Sequence, residues 1–156
     1  MLTGARHLQN IHPLVIHFPI GFLMGAVLFY FAAWALKKED LAKTGFWVLL
    51  VGAVSLAVAI GTGLYAEQGV MVALDVRQKL LLPHKQWMIA TSGLCFAVTL
   101  WAIIHRPFPK KGRVVFLVLL LVTVGTMTVG ADFGGRLVYD YNAGGDACPQ
   151  PIRFKG

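Results

Sequence analysis

Four long stretches without a charged side chain constrain what this 156-residue chain can fold into. They cover residues 18–36, 44–66, 86–104 and 114–131. At about 1.5 Å per residue, a helix of each length crosses most or all of a hydrocarbon core of about 30 Å. A backbone in lipid must satisfy its own hydrogen bonds, so these stretches must be helical. The sequence predicts an all-α integral membrane protein, a four-helix bundle with spans at about 14–36, 45–66, 85–105 and 113–131.

The composition supports this class. The chain is 57% hydrophobic and 13% charged, and its mean hydropathy is +0.69. Helices of a soluble domain need polar faces, which these stretches lack. The net charge of +7 does not indicate a nucleic-acid partner, because the basic residues are dispersed at the ends of apolar runs. That position is typical of residues that set topology and contact lipid headgroups.

The chain leaves room for one transmembrane domain, over residues 1–145. Residues 146–156 are predicted to form an extended exterior tail, because they lack hydrophobic periodicity. The first span resembles a signal peptide only in its Ala33-Trp34-Ala35 sequence. Its basic region is poor and its apolar run is long, so it is predicted to be retained as a membrane span.

The distribution of positive charge predicts the orientation. Two tight loops share one side of the membrane and carry Lys37, Lys38, Lys43, Arg106, Lys110, Lys111 and Arg113. The other side carries as many, spread over three longer stretches: Arg6, Arg77, Lys79, Lys85, Arg136, Arg153 and Lys155. Short loops weigh most in the positive-inside rule, so the tight loops are predicted to be cytoplasmic. Both termini then face outward, to the periplasm of a bacterium whose inner membrane holds this multi-pass protein.

The outward connections carry the least regular sequence. Residues 70–82 mix apolar and charged side chains, and predict either a short helix in the membrane interface or a loop that caps the bundle. Gly61-Thr62-Gly63 and the glycine-rich residues 130–135 are predicted to be turns that close the second and fourth spans.

Histidines near the outward ends of the first and third spans predict a site. His84 opens the third span, and His17 is the histidine deepest in the first apolar run. Pro19 removes a helical donor and should kink the first span beside His17. Ionisable residues within a span are costly and tend to be functional. Two histidines from facing helices are what a six-coordinate b-type haem requires.

Further residues fit a haem b site. Gly61, Gly63 and Gly130 lie at the matching depth and would leave room for the macrocycle. Arg136, Arg77 and Lys85 lie on that side and are predicted to bind the propionates. His12 is expected to be a neighbouring group, or to replace His17 as ligand if the kink turns the helix the other way. The alternative prediction is a zinc or copper ion bound by His12, His17 and His84.

Several motifs resemble the domain-of-unknown-function family 2231, which consists of small bacterial four-span membrane proteins. They are His12-Pro13-Leu14-Val15-Ile16-His17-Phe18-Pro19, Thr62-Gly63-Leu64, His84 and Gly134-Gly135-Arg136-Leu137-Val138-Tyr139. The resemblance covers residues 11–145 and implies the four-span fold. Its members sometimes occur with redox domains, which implies electron transfer. The family usually has a histidine two residues beyond Tyr139, where this chain has Tyr141.

The expected function is a non-catalytic, b-type cytochrome-like subunit for electron transfer. His17 and His84 would hold one haem near the periplasmic face, and electrons would pass to or from a quinol or a periplasmic redox partner. The alternatives are a cofactor-free structural or assembly subunit of a membrane complex and a histidine-rich metal-binding protein. No acid–base pair, nucleophile triad or phosphate-binding loop stands out, so the sequence does not favour an enzyme.

Overall fold

The computed structural model describes residues 11–69, 72–141 and 143. Within them the chain is helical almost throughout. The helices are α1 (His12–Val15), α2 (His17–Leu36), α3 (Glu39–Glu67), α4 (Leu74–Val76), a π-helical turn (Arg77–Leu81), α5 (Leu82–Ile104) and α6 (Arg113–Tyr139). The prediction of an all-α fold is confirmed. The exterior tail lies outside the described residues, as do Arg6, Arg153 and Lys155.

Four continuous helical segments are long and apolar enough to cross a membrane. They are His12–Leu36, Glu39–Glu67, Leu74–Ile104 and Arg113–Tyr139. The 18-residue windows that define them have mean hydropathies between 1.9 and 2.4, yet no more than 33% of any window is buried within the protein. Apolar side chains exposed at this level require lipid around them. The molecule is therefore a helical membrane bundle.

The helices form two hairpins that pack side by side. In the first hairpin α2 packs along α3, and in the second α5 packs along α6. The hairpins meet through equivalent pairs, α2 with α6 and α3 with α5. The first and third spans therefore occupy opposite corners of the bundle, and side chains that point inward from both can meet near its axis.

Buried positions repeat between the two hairpins. Four of the buried residues of α2 lie 72 positions before buried residues of α5: Pro19 and Thr91, Leu23 and Cys95, Ala26 and Val98, and Tyr30 and Ala102. All seven buried residues of α6 lie 71 positions after buried residues of α3: Gly45 and Phe116, Phe46 and Leu117, Leu49 and Leu120, Gly52 and Thr123, Leu56 and Met127, Ala59 and Gly130, and Ala66 and Leu137. The bundle is thus an approximate two-fold repeat of one hairpin.

The glycine-rich segments do not end the second and fourth helices, and that prediction is wrong. α3 continues through Gly61 and Gly63 to Glu67, and α6 continues through Gly130 and Gly134 to Tyr139. Glycine weakens a helix interior by about 1 kcal/mol relative to alanine, an amount that packing can outweigh. At Gly63, Gly130 and Gly134 the absence of a Cβ atom matters more, because side chains of neighbouring helices lie against the glycine backbone.

The first and third spans are both irregular just before their apolar parts. Helix α1 ends at Val15 and α2 begins at His17, with Ile16 between them. Pro19 has no N–H to donate to the carbonyl of Val15. The irregularity lies next to His17, where the sequence predicts a kink. In the third span a π-helical turn precedes Pro83, and the N–H of Leu82 donates to the carbonyl of Arg77.

The connection before the third span is an extension of that span. Leu74–Val76, the π-helical turn and α5 follow one another without a break, so the segment is neither a separate interfacial helix nor a loop. Val76 and Leu80 are buried against Leu137 and Tyr141 at the end of α6. These four residues form an apolar cluster that holds the extension against the end of the bundle.

A hydroxyl pair links the helices of the second hairpin. Thr126 donates its hydroxyl hydrogen to the Thr123 carbonyl, so buried Thr91 is the donor of the pair, with Oγ1 2.9 Å from Thr126 Oγ1 and also 2.9 Å from the Trp87 carbonyl of its own helix. We expect Thr91→Val to lower the free energy of unfolding by about 0.6–1.7 kcal/mol, the range found for hydrogen bonds between membrane helices. Thermal unfolding in detergent would measure it. Thr128→Val is the matched control, because exposed Thr128 bonds only to the Val124 carbonyl of its own helix. If both substitutions lowered the free energy of unfolding equally, the hydrogen bond between Thr91 and Thr126 would not stabilise the hairpin.

Candidate functional site

His12 packs into the second span. Its Nδ1 atom lies 3.1 Å from Thr62 Oγ1, and the ring also hydrogen-bonds to the backbone of Ala59. The Thr62 hydroxyl lies 2.9 Å from the Ala59 carbonyl and donates to it. The only hydroxyl hydrogen of Thr62 is therefore committed, and Thr62 accepts a hydrogen bond from His12.

His84 packs into the fourth span in the same way. Its Nδ1 atom lies 2.7 Å from the carbonyl oxygen of Gly130. A carbonyl oxygen only accepts hydrogen bonds, so Nδ1 of His84 carries the hydrogen. In the neutral ring of His84 the lone pair is then on Nε2. A hydrogen bond from one ring nitrogen to the protein is the usual arrangement of a histidine that ligates a metal through the other.

Each ring lies against a glycine. A Cβ atom on Gly63 would be 2.9 Å from Cε1 of His12, and one on Gly134 would be 2.8 Å from Cε1 of His84. Real Cβ contacts are essentially never that short. Any other residue at either position would displace the ring and weaken the hydrogen bond that orients it.

The two histidines are equivalent under the hairpin repeat. His84 is 72 positions after His12, and Gly130 and Gly134 are 71 positions after Ala59 and Gly63. The histidines are also close enough for the charge of one to act on the other. The repeat therefore places one imidazole in each hairpin, at the same end of the bundle. The site is a histidine pair, His12 and His84. It lies at the end of the bundle where α1 begins and α6 ends.

His17 lies elsewhere. It is exposed on the surface of α2, and its ring takes part in no hydrogen bond between described residues. The structure thus brings together His12 and His84, and it separates His17 from that pair. His105, at the opposite end of α5, is also exposed.

The other predicted cofactor-binding residues are arranged as follows. Gly61 is exposed and faces open space, whereas a Cβ atom on Gly130 would be 2.5 Å from Cε of Met88. Arg136 pairs with Asp140 on its own helix, at 3.6 Å. The predicted macrocycle-facing glycines therefore differ in environment: Gly63 lies against the His12 ring, Gly130 accepts the hydrogen bond of His84, and Gly61 contacts neither histidine.

A charged cluster borders the histidine pair on one side. Glu67, at the end of α3, accepts from Lys85 Nζ at 2.7 Å and from Arg77 Nη2 at 3.3 Å. Lys85 directly follows His84 in sequence, and Glu67 lies one helical turn beyond Gly63. Glu67 is 19% exposed. Two cations thus share the Glu67 carboxylate.

The described residues contain no group of three or more His, Cys, Asp or Glu side chains arranged to hold a metal ion. Cys95 is buried within α5 beside Thr99. Tyr141, at the position where the resemblance places a histidine, belongs to the apolar cluster with Leu137. The histidine pair is thus a two-imidazole site.

The sequence prediction named His84, Gly130 and, as the alternative to His17, His12, but it did not name the groups that surround the two rings. The Thr62 hydroxyl, Gly134 and the Glu67 carboxylate belong to the site's surroundings, although Thr62 and Gly134 were visible only as parts of motifs. The sequence signal for these contacts was a repeated spacing between histidine and glycine. His12 precedes Gly63 by 51 residues, and His84 precedes Gly134 by 50.

The fold and the site define a four-span helical membrane protein with a pair of histidines at one end of the bundle. Residues 8–147 match the family described as predicted membrane protein (DUF2231), so the chain belongs to that family. Comparisons with curated proteins and with solved structures gave no match.

Proposed function

We propose that the protein is a b-type cytochrome-like subunit, in which His12 and His84 ligate one haem and the protein transfers electrons. The observation that supports this proposal is the common orientation of the two rings. In each, Nδ1 lies within hydrogen-bond distance of a neighbouring span, at the Thr62 hydroxyl for His12 and the Gly130 carbonyl for His84, which is the usual arrangement of histidines that ligate a metal through the other nitrogen. Two imidazoles complete the coordination of haem iron, because the macrocycle supplies the other four nitrogens.

The donor set fits haem better than an isolated zinc ion. A structural zinc ion takes four ligands and a catalytic one usually takes three from the protein. His12 and His84 alone provide two, so a zinc site would have to recruit ligands beyond this pair. Haem, when bound, would supply one-electron chemistry. The protein would hold the axial rings with the hydrogen bonds to Thr62 and Gly130, and surround them with apolar helices that limit access of water.

The proposed location is the bacterial inner membrane, with the histidine end facing the periplasm. Support comes from the positive charges concentrated in the two tight loops at the opposite end of the bundle. A single site near one surface cannot by itself carry electrons across a core of about 30 Å. The electron donor and acceptor would therefore meet the protein on the same side, as a quinol in the membrane and a periplasmic redox protein.

The visible spectrum of purified protein, with and without added haem, tests this proposal. We expect sharp Soret and α bands after dithionite reduction, typical of low-spin iron with two axial histidines. Zinc and copper are added separately to colourless protein, and bound metal is counted after gel filtration. Stoichiometric zinc or copper binding without any haem binding would overturn the proposal in favour of the metal-binding alternative.

A cofactor-free structural subunit is the second candidate. Its specific support is that the histidine rings already fill the space beside Gly63 and Gly134. The rings would then serve only to join α1 to α3 and α5 to α6. This candidate predicts that neither haem nor metal changes the thermal midpoint of the purified protein, whereas a ligand that binds the folded state raises it.

A further inference from the structure

Two ionisable side chains lie on the outward surface of the spans. His17 on α2 and Asp132 on α6 are both exposed, and both belong to segments that are apolar enough to cross a membrane. Neither forms a hydrogen bond or an ion pair with another described residue. An ionisable group in a span is costly and is usually paired with another group. The two side chains therefore indicate a contact that the described part of one chain does not make.

His17 and Asp132 face the same side of the bundle. The first span contacts α3 through His12 and Leu23. At about 100° per residue, His17 lies about 140° from His12 and about 120° from Leu23, so it points away from α3. Asp132 lies about 160° from Gly134, which contacts α5, so it points away from α5. The helices follow the order α2, α3, α5, α6 around the bundle, and both directions therefore lead outward from the side that α2 and α6 form.

Two glycines lie level with each other on these helices. Tyr30 of α2 packs against Phe116 of α6, with ring centroids 4.9 Å apart. The helices run in opposite directions, so Gly21, nine residues before Tyr30, lies level with Gly125, nine residues after Phe116. Both glycines are exposed, and a Cβ atom on either would meet nothing within 4 Å. Small residues at such positions let another helix approach closely.

Each glycine shares a helix face with one of the ionisable residues. Gly21 lies four residues after His17, about 40° around α2, and Gly125 lies seven residues before Asp132, about 20° around α6. In the same register, Asp132 is about 4.5 Å nearer than His17 to the end of the bundle that holds the histidine pair. Side chains lean toward the N-terminus of their own helix, so His17 leans toward that end and Asp132 leans away from it. The two side chains thus converge in height.

We propose that the side formed by α2 and α6 binds a second copy of this chain. A two-fold axis parallel to the bundle places α2 of each copy opposite α6 of the other. His17 of each copy then donates a hydrogen bond to the Asp132 carboxylate of the other, and Gly21 packs against Gly125 at the same height. A second copy fits because the imidazole is on α2 and the carboxylate on α6, so one rotation pairs both groups twice.

The equivalent side of the bundle, formed by α3 and α5, lacks this complementarity. The hairpin repeat relates His17 to Ile89 and Asp132 to Gly61. Ile89 is 65% exposed, and neither Ile89 nor Gly61 can ionise. The paired charges therefore select one side for the contact and close the assembly at two copies. The dimer would form with or without haem.

Counting photobleaching steps of labelled protein in vesicles of neutral phospholipid measures the assembly. We expect dimers of the native protein. Gly21→Leu should lower the association constant by at least about tenfold, because a large side chain separates the helices. Leucine is used because alanine is itself common in close helix contacts. Gly93→Leu is the matched control, since the repeat relates Gly93 to Gly21 and a Cβ atom there also meets nothing within 4 Å.

The polar pair is tested by removal and by exchange. His17→Ala and Asp132→Ala should each weaken dimerisation about tenfold, because two hydrogen bonds between membrane helices are lost per dimer. Ile89→Ala is the matched control at the equivalent place on α5. The exchange variant, with His17→Asp and Asp132→His together, restores the pair and should dimerise like the native protein.

Cysteine crosslinking tests the geometry without weakening the contact. Chains with Gly21→Cys and chains with Gly125→Cys, both in a Cys148→Ser background, are reconstituted together and oxidised. Cys95 is buried and can stay in place. We expect a disulfide in the mixture and none in either variant alone, since the axis brings position 21 of one copy to position 125 of the other.

Three results would overturn the dimer. The first is a native protein that stays monomeric at every protein-to-lipid ratio, which would leave His17 and Asp132 as contacts of lipid headgroups. The second is a dimer that Gly93→Leu disrupts and Gly21→Leu does not. The third is a crosslink that forms as readily in either cysteine variant alone as in the mixture. None of these results bears on haem binding, so the proposed function is tested separately.

Discussion

Replacing His84 with alanine is expected to convert bound haem from low-spin to high-spin iron and to weaken its binding more than about 100-fold. Removing a residue that only hydrogen-bonds to a metal ligand commonly lowers metal affinity about 10–100-fold. His84 would be a ligand itself, so its removal should lower the affinity more. His12→Ala should have the same effect, because the two rings are equivalent under the hairpin repeat. Reduced and oxidised spectra, with haem titrations, measure both quantities.

His17→Ala is the matched control for these variants. It removes an imidazole from the same span but from an exposed position outside the histidine pair. We expect the low-spin spectrum and the haem affinity to be unchanged. Added imidazole should restore the low-spin spectrum of His12→Ala and His84→Ala by filling the space of the missing ring. Loss of the low-spin spectrum in His17→Ala with its retention in His12→Ala would contradict the ligand assignment and favour the pair His17 and His84.

Gly134→Ala is expected to destabilise the protein by about 1–3 kcal/mol, the usual cost of extra volume in a packed site. The new Cβ atom would be 2.8 Å from Cε1 of His84 and 3.0 Å from Nδ1. An imidazole is rigid, so the whole ring must move away, and its 2.7 Å hydrogen bond to Gly130 would be lost. Thermal unfolding in detergent measures the loss of stability, and haem titration measures the accompanying loss of affinity.

Gly125→Ala provides the control on the same helix. A Cβ atom there would meet nothing within 4 Å, and alanine favours a helix over glycine by about 0.8–1.0 kcal/mol. The same glycine-to-alanine substitution on α6 should therefore lower the free energy of unfolding at position 134 and raise it at position 125. A stabilising Gly134→Ala that leaves haem binding unchanged would show that the His84 ring does not need the glycine backbone.

The helical spans were predictable because each follows from a local property. A run such as residues 114–131 has no charged side chain, and the requirement for backbone hydrogen bonds in lipid makes it a helix whatever its neighbours are. The resemblance to the family was also correct, since it depended on short motifs read directly from the chain. The glycine segments were misread because glycine is common both at helix ends and inside close helix contacts. The sequence alone does not distinguish these two roles.

The partner of His84 was harder to predict. His12 and His17 are five residues apart, so a helix turns one of them away when the other faces inward. The rotation of the first span is determined by its packing, with Leu23 lying against Gly52 of α3 and His12 against Gly63. Depth in the apolar run favoured His17, but depth carries no information about rotation.

The amino-acid sequence determined that this chain forms four membrane helices and that its histidines lie at particular heights along them. Hydrophobic length and helical rise set both properties, and neither depends on distant contacts. Only the tertiary structure decided that His12 and His84 lie at equivalent places in the two hairpins, that Gly63 and Gly134 accommodate their rings, and that Lys85 pairs with Glu67. The physical reason is that helix rotation and the choice of neighbours depend on side-chain packing between spans about 50 or more residues apart.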